Sequence, residues 1–150
     1  RNILRINKSN APISERIALY TKAIFVLNKI ESLNTYAGIV PESKGNLLIE
    51  NPDIAVDNWQ EKAVHEFKKA LHLQPRRYGS RIALARLLEQ RGELNEAVFL
   101  MNDGVNYYYQ NDLPGLDKFY QYAIELNLMN GDTIKAQEIQ IEKGLLLGKQ

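Results

Sequence analysis

Ala63-Val64-His65-Glu66-Phe67-Lys68-Lys69-Ala70-Leu71-His72-Leu73-Gln74-Pro75 is the stretch whose reading decides the fold. Ala63, Phe67 and Ala70 stand four and three residues apart. Two small side chains and one large ring therefore share a helix face, and Pro75 stops that helix. Thirty-four residues after Ala63 comes Ala97. A period of that length marks helical hairpins that cannot bury an apolar face alone and so pack on neighbours.

Working outward, the next unit supplies Leu84-Ala85 with Leu88, then Gly92 in a turn, then Ala97, Met101 and Gly104. A further unit sets Gly131-Asp132 and Ala136 where the previous one has Gly92-Glu93 and Ala97, at a spacing of 39. The five extra residues fit the loop around Asn111-Asp112-Leu113-Pro114-Gly115. This pattern resembles the tetratricopeptide repeat, in which small residues sit where two helices cross and an aromatic lies between them. The resemblance is strongest over 57–105 and extends to about 145. Before residue 57 the family's first helix, with its Trp, Leu-Gly and Tyr, is missing. The resemblance implies an all-α fold: a right-handed stack of antiparallel hairpins, an α-solenoid of about six helices.

Residues 1–150 read as a single domain in three parts. An N-terminal packing helix over 12–33 opens at Pro12, whose missing N–H suits a first helical turn. Its apolar stripe is Ile13, Ile17, Tyr20, Ile24, Leu27 and Leu33, with Ala23 and Ile30 beside it. A long connection over 34–56 follows, punctuated by Gly38, Pro41, Gly45 and Asn51-Pro52. Connections beyond about 12–15 residues are usually functional or disordered. Here 36–50 is expected to cap one end, with Leu47-Leu48-Ile49 held against the core. The repeat hairpins fill 57–150, with helices over 57–74, 80–91, 95–108, 116–129 and 133–144. Asp57 and Gln60 form a capping box for the first of these, and Asp132 or Thr133 caps the last. Phe67 is expected to be buried between Ala85/Leu88 and the 12–33 helix.

Composition excludes more than it suggests. Nineteen basic against eighteen acidic residues leave a net charge of +1, so no charge bias draws the chain toward nucleic acid or anionic membrane. Absence of cysteine removes disulfides, thiol catalysis and thiolate metal sites. The longest apolar stretch, Ile17 to Leu27, is interrupted by Thr21 and Lys22 and is shorter than the ~20 residues of a membrane span. It also lacks the small-residue cleavage site of a signal peptide. Because the chain opens on Arg1, it reads as a piece of a longer protein.

His65 and His72 are the only histidines. Seven helical residues separate them by about 10.5 Å along the axis, too far to ligate one ion at roughly 2.0–2.2 Å. No nucleophile–base pair, glycine-rich phosphate loop or HExxH is visible, so the segment reads as non-catalytic, with no cofactor and no metal. Arg76, Arg77, Arg81, Arg86 and Arg91 form a local basic run. The first two follow a helix C-terminus, which favours positive charge. Arg81 and Arg86 are about 500° apart and do not share a face.

In the tetratricopeptide family the first helix of each hairpin lines the concave surface. Carried over, this places Ile82, Arg86 and Glu89 on the contact face of one unit, and Lys118, Gln121 and Glu125 on that of the next. The family's clamp for a C-terminal carboxylate needs Lys and Asn on a first helix. Ile82 and Arg86 stand there instead, which argues against carboxylate clamping. A second contact face is Tyr107-Tyr108-Tyr109 with Asn111 and Asp112, where flat rings with polar edges suit a sugar or a protein interface. The resulting expectation is a protein- or peptide-binding scaffold module, without nucleic-acid binding or membrane insertion.

A second resemblance concerns the parent protein. Pro75, Leu84-Ala85, Gly92, Ala97, Tyr107–Tyr109 and Gly131-Asp132 are similar to the C-terminal helical part of bacterial O-antigen ligases and protein O-oligosaccharyltransferases. That resemblance implies an accessory domain on the periplasmic side of the cell envelope, with the chemistry in the membrane part. A structural spacer is the third reading.

Overall fold

A computed structural model describes residues 11–33, 38–107 and 113–148. Among them are seven α-helices and no strand. The chain divides into two compact units, Arg1–Gln74 and Pro75–Gln150.

The first unit holds α1 (Ile13–Ser32), α2 (Ile39–Glu50) and α3 (Trp59–Leu73). α1 begins after Pro12, as expected. The middle of its apolar stripe is used, because Ala23 and Leu27 are buried against Val40 and Leu47 with Leu19, Tyr20, Ile24 and Ile30 packed around them. Ile13, Ile17 and Leu33 are exposed.

α2 corrects the reading of 34–56 as an irregular connection. Each apparent breaker has a use in the helix. Gly38 takes φ 81 just before it, a conformation that glycine adopts without a Cβ penalty. Pro41 sits in the first turn, where its missing N–H removes no helical bond. Gly45 is a crossing point: a Cβ built there would stand 2.7 Å from Cζ of Phe67 and 2.9 Å from each Cε. The ring, fully buried, lies on the α2 backbone. Asn51 closes the helix, its side-chain amide donating to the Leu47 carbonyl at 2.9 Å.

α2 is therefore the packing partner of α3, the place expected for the 12–33 helix. α1 packs on α2 and reaches α3 through Glu31, whose carboxylate accepts from both Lys44 and Lys69. Arg16 and Asp53 form a bidentate pair at 2.8 and 2.9 Å. The Asp57/Gln60 capping box does not form. Trp59 is the first helical residue and Asn58 the N-cap, without a side-chain bond, so Asp57 lies one position too early to reach the orphan amides.

The second unit holds α4 (Tyr78–Gln90), α5 (Leu94–Val105), α6 (Leu113–Met129) and α7 (Thr133–Leu147). α4 and α6 end in the same way. The Gly92 N–H donates to the Glu89 carbonyl and the Glu93 N–H to Leu88, at 2.9 and 2.8 Å. The Gly131 N–H donates to Leu128 and the Asp132 N–H to Asn127, at 3.0 and 2.9 Å. Both glycines are left-handed, with φ 79 and 81. These are two Schellman turns, each satisfying carbonyls that the helix end leaves orphaned. Asp132 then caps α7 by accepting from the Lys135 amide at 2.9 Å.

Inside this unit the helices meet at Gly104, where a Cβ would stand 2.3 Å from Cδ of Arg81 and 2.7 Å from Cζ of Phe119. Arg81, only 2% exposed, lies across the gap. It donates to the Pro75 carbonyl at 3.0 Å, to the Leu100 carbonyl at 2.9 Å and to Asp103 at 2.9 Å, and stacks over Tyr107. α5 and α6 are also tied by a reciprocal amide pair, Asn102 to Asn127 at 3.0 Å and Asn127 to Asn102 at 2.7 Å.

Candidate functional site on helices α4 and α6

α4 turns two faces in opposite directions, and its two arginines separate accordingly. Arg81 is buried, whereas Arg86 is exposed. The second places its guanidinium carbon 5.4 Å from the ring centre of Tyr122 on α6, within cation–π range. The Tyr122 hydroxyl donates to the Glu89 carboxylate, one turn beyond Arg86. Burial of the ring, reinforced by Glu89, holds that phenol protonated far above the usual tyrosine range. The hydroxyl is thus a fixed donor, and one oxygen of Glu89 is committed to it.

Around this core lie the other expected contact residues. Gln121 donates to Glu125 at 3.0 Å along α6 and accepts from Lys143 at 3.4 Å, while Lys143 also pairs with Asp117 at 2.8 Å. Ile82 is half-buried one turn before Arg86, and Lys118 is exposed one turn before Tyr122. Two of the six residues carried over from the repeat pattern, Arg86 and Glu89, thus touch Tyr122, while Gln121 and Glu125 pair with each other on the same helix as that tyrosine. Tyr122 itself was not singled out by the sequence. It stands among Tyr120, Ala123 and Ile124 and reads there as core. Its position three residues before Glu125 and four after Lys118 is the signal that could have found it.

The second contact face divides differently. Tyr107 is half-buried, and its ring is covered by the Arg81 guanidinium at 5.1 Å. One face of that ring is occupied by the protein's own cation. Tyr108, Tyr109, Asn111 and Asp112 lie outside the described residues.

Both histidines are exposed on α3. Among the described residues no group of three or more His, Asp or Glu could hold a metal ion. No described helix is long and apolar enough to cross a membrane. No known protein family, curated protein or solved structure matches the chain.

Proposed function

We propose that this chain is a protein-interaction module of tetratricopeptide type, a solenoid of stacked hairpins that binds a peptide segment of a partner and performs no chemistry itself. The observation that carries the reading is the Arg86–Tyr122–Glu89 cluster. It fixes Arg86 over the buried Tyr122 ring and Glu89 on its hydroxyl, beside the exposed amide and carboxylate of Gln121 and Glu125, on two neighbouring helices. Exposed charges of both signs, held in place over a buried aromatic, suit an extended peptide better than a highly charged ligand. The recurring Schellman turns, each followed within the next helix by a buried alanine, Ala97 and Ala136, support the repeat register.

Selection from a displayed peptide library against the purified chain tests this. Enriched peptides should bind the parent and lose about tenfold in affinity, roughly 1.4 kcal/mol, to an Arg86→Glu/Lys118→Glu variant of unchanged melting temperature. Peptides that bind the double variant as tightly as the parent would place the contact elsewhere. A selection that enriches nothing over a control matrix would leave the spacer reading in its place.

A further inference from the structure

α1 is seated on the first unit by little burial. Of its 20 residues only Ala23 and Leu27 are buried, whereas α2, with 12, buries six. Phe25 is 68% exposed, and Ile13, Ile17 and Val26 are exposed with it. The core contact is small: Ala23 and Leu27 meet Val40 and Leu47 of α2, edged by Leu19, Tyr20, Ile24 and Ile30. Toward α3 the surface is not closed by packing. An open cleft of about 550 Å³ is lined by Tyr20, Ile24 and Asn28 on the α1 side and by Glu61 and His65 on the α3 side. A space of that size admits water, so the α1–α3 boundary adds little to the burial of α1.

Two polar ties span what packing leaves open. At one end Arg16 of α1 donates to both oxygens of Asp53, in the segment between α2 and α3, at 2.8 and 2.9 Å. At the other end Glu31 accepts from Lys44 of α2 and Lys69 of α3. Arg16 and Glu31 lie about 22 Å apart along the helix axis, so the ties hold α1 near its two ends. Each tie is made of ion pairs. The side chains of Asp53 and Lys69 are 50% and 42% exposed, so dissolved salt reaches both ends.

We infer that α1 is a strap fastened by charge: it opens from α2 and α3 as a unit, and the two ion-pair ties set how often it does so. α2 and α3 stay together during that opening, because their own contact, the Phe67 ring on Gly45, does not involve α1. Release joins the cleft to the apolar face of α2 at Val40 and Leu47, which α1 otherwise covers. Elements with few buried apolar contacts open below the free energy of global unfolding. Exposed ion pairs contribute little to a whole domain, but at a seam with so little burial they are a large part of what holds it. The device lies wholly within the first unit and does not rest on the peptide-binding reading of α4 and α6.

Native-state amide hydrogen exchange of the full isotope-labelled chain tests this, at about 0.1 M and about 1 M sodium chloride, between which the screening length falls from roughly 10 to roughly 3 Å. Amides from Leu19 to Ile30 should share one opening and be less protected than those from Ala63 to Ala70 on α3. The higher salt should raise the α1 opening about fivefold relative to α3. Asp53→Asn should raise the α1 opening in low salt and weaken its salt response, with α3 unchanged. Glu31→Gln should act in the same way from the other end, and in the double variant the α1 opening should be nearly indifferent to salt. Asp53 is exposed and outside the α2–α3 packing, so its variant carries the test even where Glu31→Gln also loosens Lys44. Equal protection of α1 and α3 overturns the proposal, because the unit then opens only as a whole. An α1 opening that ignores salt in the parent overturns it as well, as does a salt response that survives in the double variant.

Discussion

Gly45 in the first unit and Gly104 in the second both let another residue lie where a side chain would be, yet the two crossings differ in kind. At Gly45 the visitor is the Phe67 ring, held at zero exposure. At Gly104 it is the aliphatic stem of Arg81, with Phe119 behind it, and the guanidinium beyond is fastened to two carbonyls and a carboxylate. The first crossing is held by burial and the second by a polar lock inside a hydrophobic surround. A ring is placed by shape, so its position follows from available volume. A guanidinium is placed by its partners, so its position depends on acceptors that several segments must bring together.

The largest effect should come from emptying the first crossing. Phe67→Ala should cost about 3–5 kcal/mol, measured by urea denaturation, and Phe67→Leu clearly less. Melting of Phe67→Ala within a degree of the parent would contradict the packing of the ring on α2. Arg81→Ala should follow at about 2–3 kcal/mol, because three accepting groups lose a charged donor while Asp103, half-exposed, regains water. Were Arg81→Ala to cost under about 0.5 kcal/mol, the lock would be ornamental and the second crossing would resemble the first.

Adding a methyl group separates the two crossings further. Gly45→Ala and Gly104→Ala should each cost about 1–3 kcal/mol by overpacking. The Gly104 penalty should shrink in an Arg81→Ala background, since the nearest obstruction is gone, whereas Arg81→Ala should leave the Gly45 penalty unchanged. Additivity at both sites would remove the distinction. Gly92→Ala and Gly131→Ala should cost a smaller and nearly equal ~1–2 kcal/mol, because neither glycine has any atom near its missing Cβ and only the left-handed backbone is strained. Unequal losses would mean that the two turns are less alike than their hydrogen bonds.

The smallest effect is a pH slope confined to the first unit. Glu31 is held below its usual value of 4.5 by Lys44 first and Lys69 second. Its contribution is therefore complete above that value and lost as pH falls through the lower folded value. Glu66 is raised from the same value by burial, so ionising it weighs against folding as pH rises through its folded value. Glu31→Gln should flatten the acid limb of the stability curve, while Glu66→Gln should leave that limb and improve stability slightly at neutral pH. Parallel curves for the two variants would show that the carboxylates are not differently served.

Much of the helical order was legible because it is locally encoded. Ala63, Phe67 and Ala70 repeat at helical spacing, Gly92 and Gly131 end helices by backbone conformation alone, and Asp132 caps the helix that follows it. α2 was not legible, for an equally physical reason. It is covered on two sides, with Val40, Pro41, Lys44, Gly45, Leu47 and Leu48 all buried, so no single apolar stripe marks it. The proposed contact residues on α4 and α6 could be carried over from a repeat pattern, but Tyr122 could not, because Tyr120, Ala123 and Ile124 around it are core.

The sequence by itself determined that the chain is helical, where most helices start and stop, and which chemistry its composition excludes. Those properties depend on φ/ψ preferences, caps and residues within one or two turns. Tertiary structure alone decided that Gly45 is a crossing rather than a break, that Arg81 is interior and Arg86 exterior, and that Glu31 accepts from two lysines while one oxygen of Glu66 is enclosed without a donor. Each of those outcomes joins residues from different helices, and the free energy of a contact between distant segments is not carried by either segment alone.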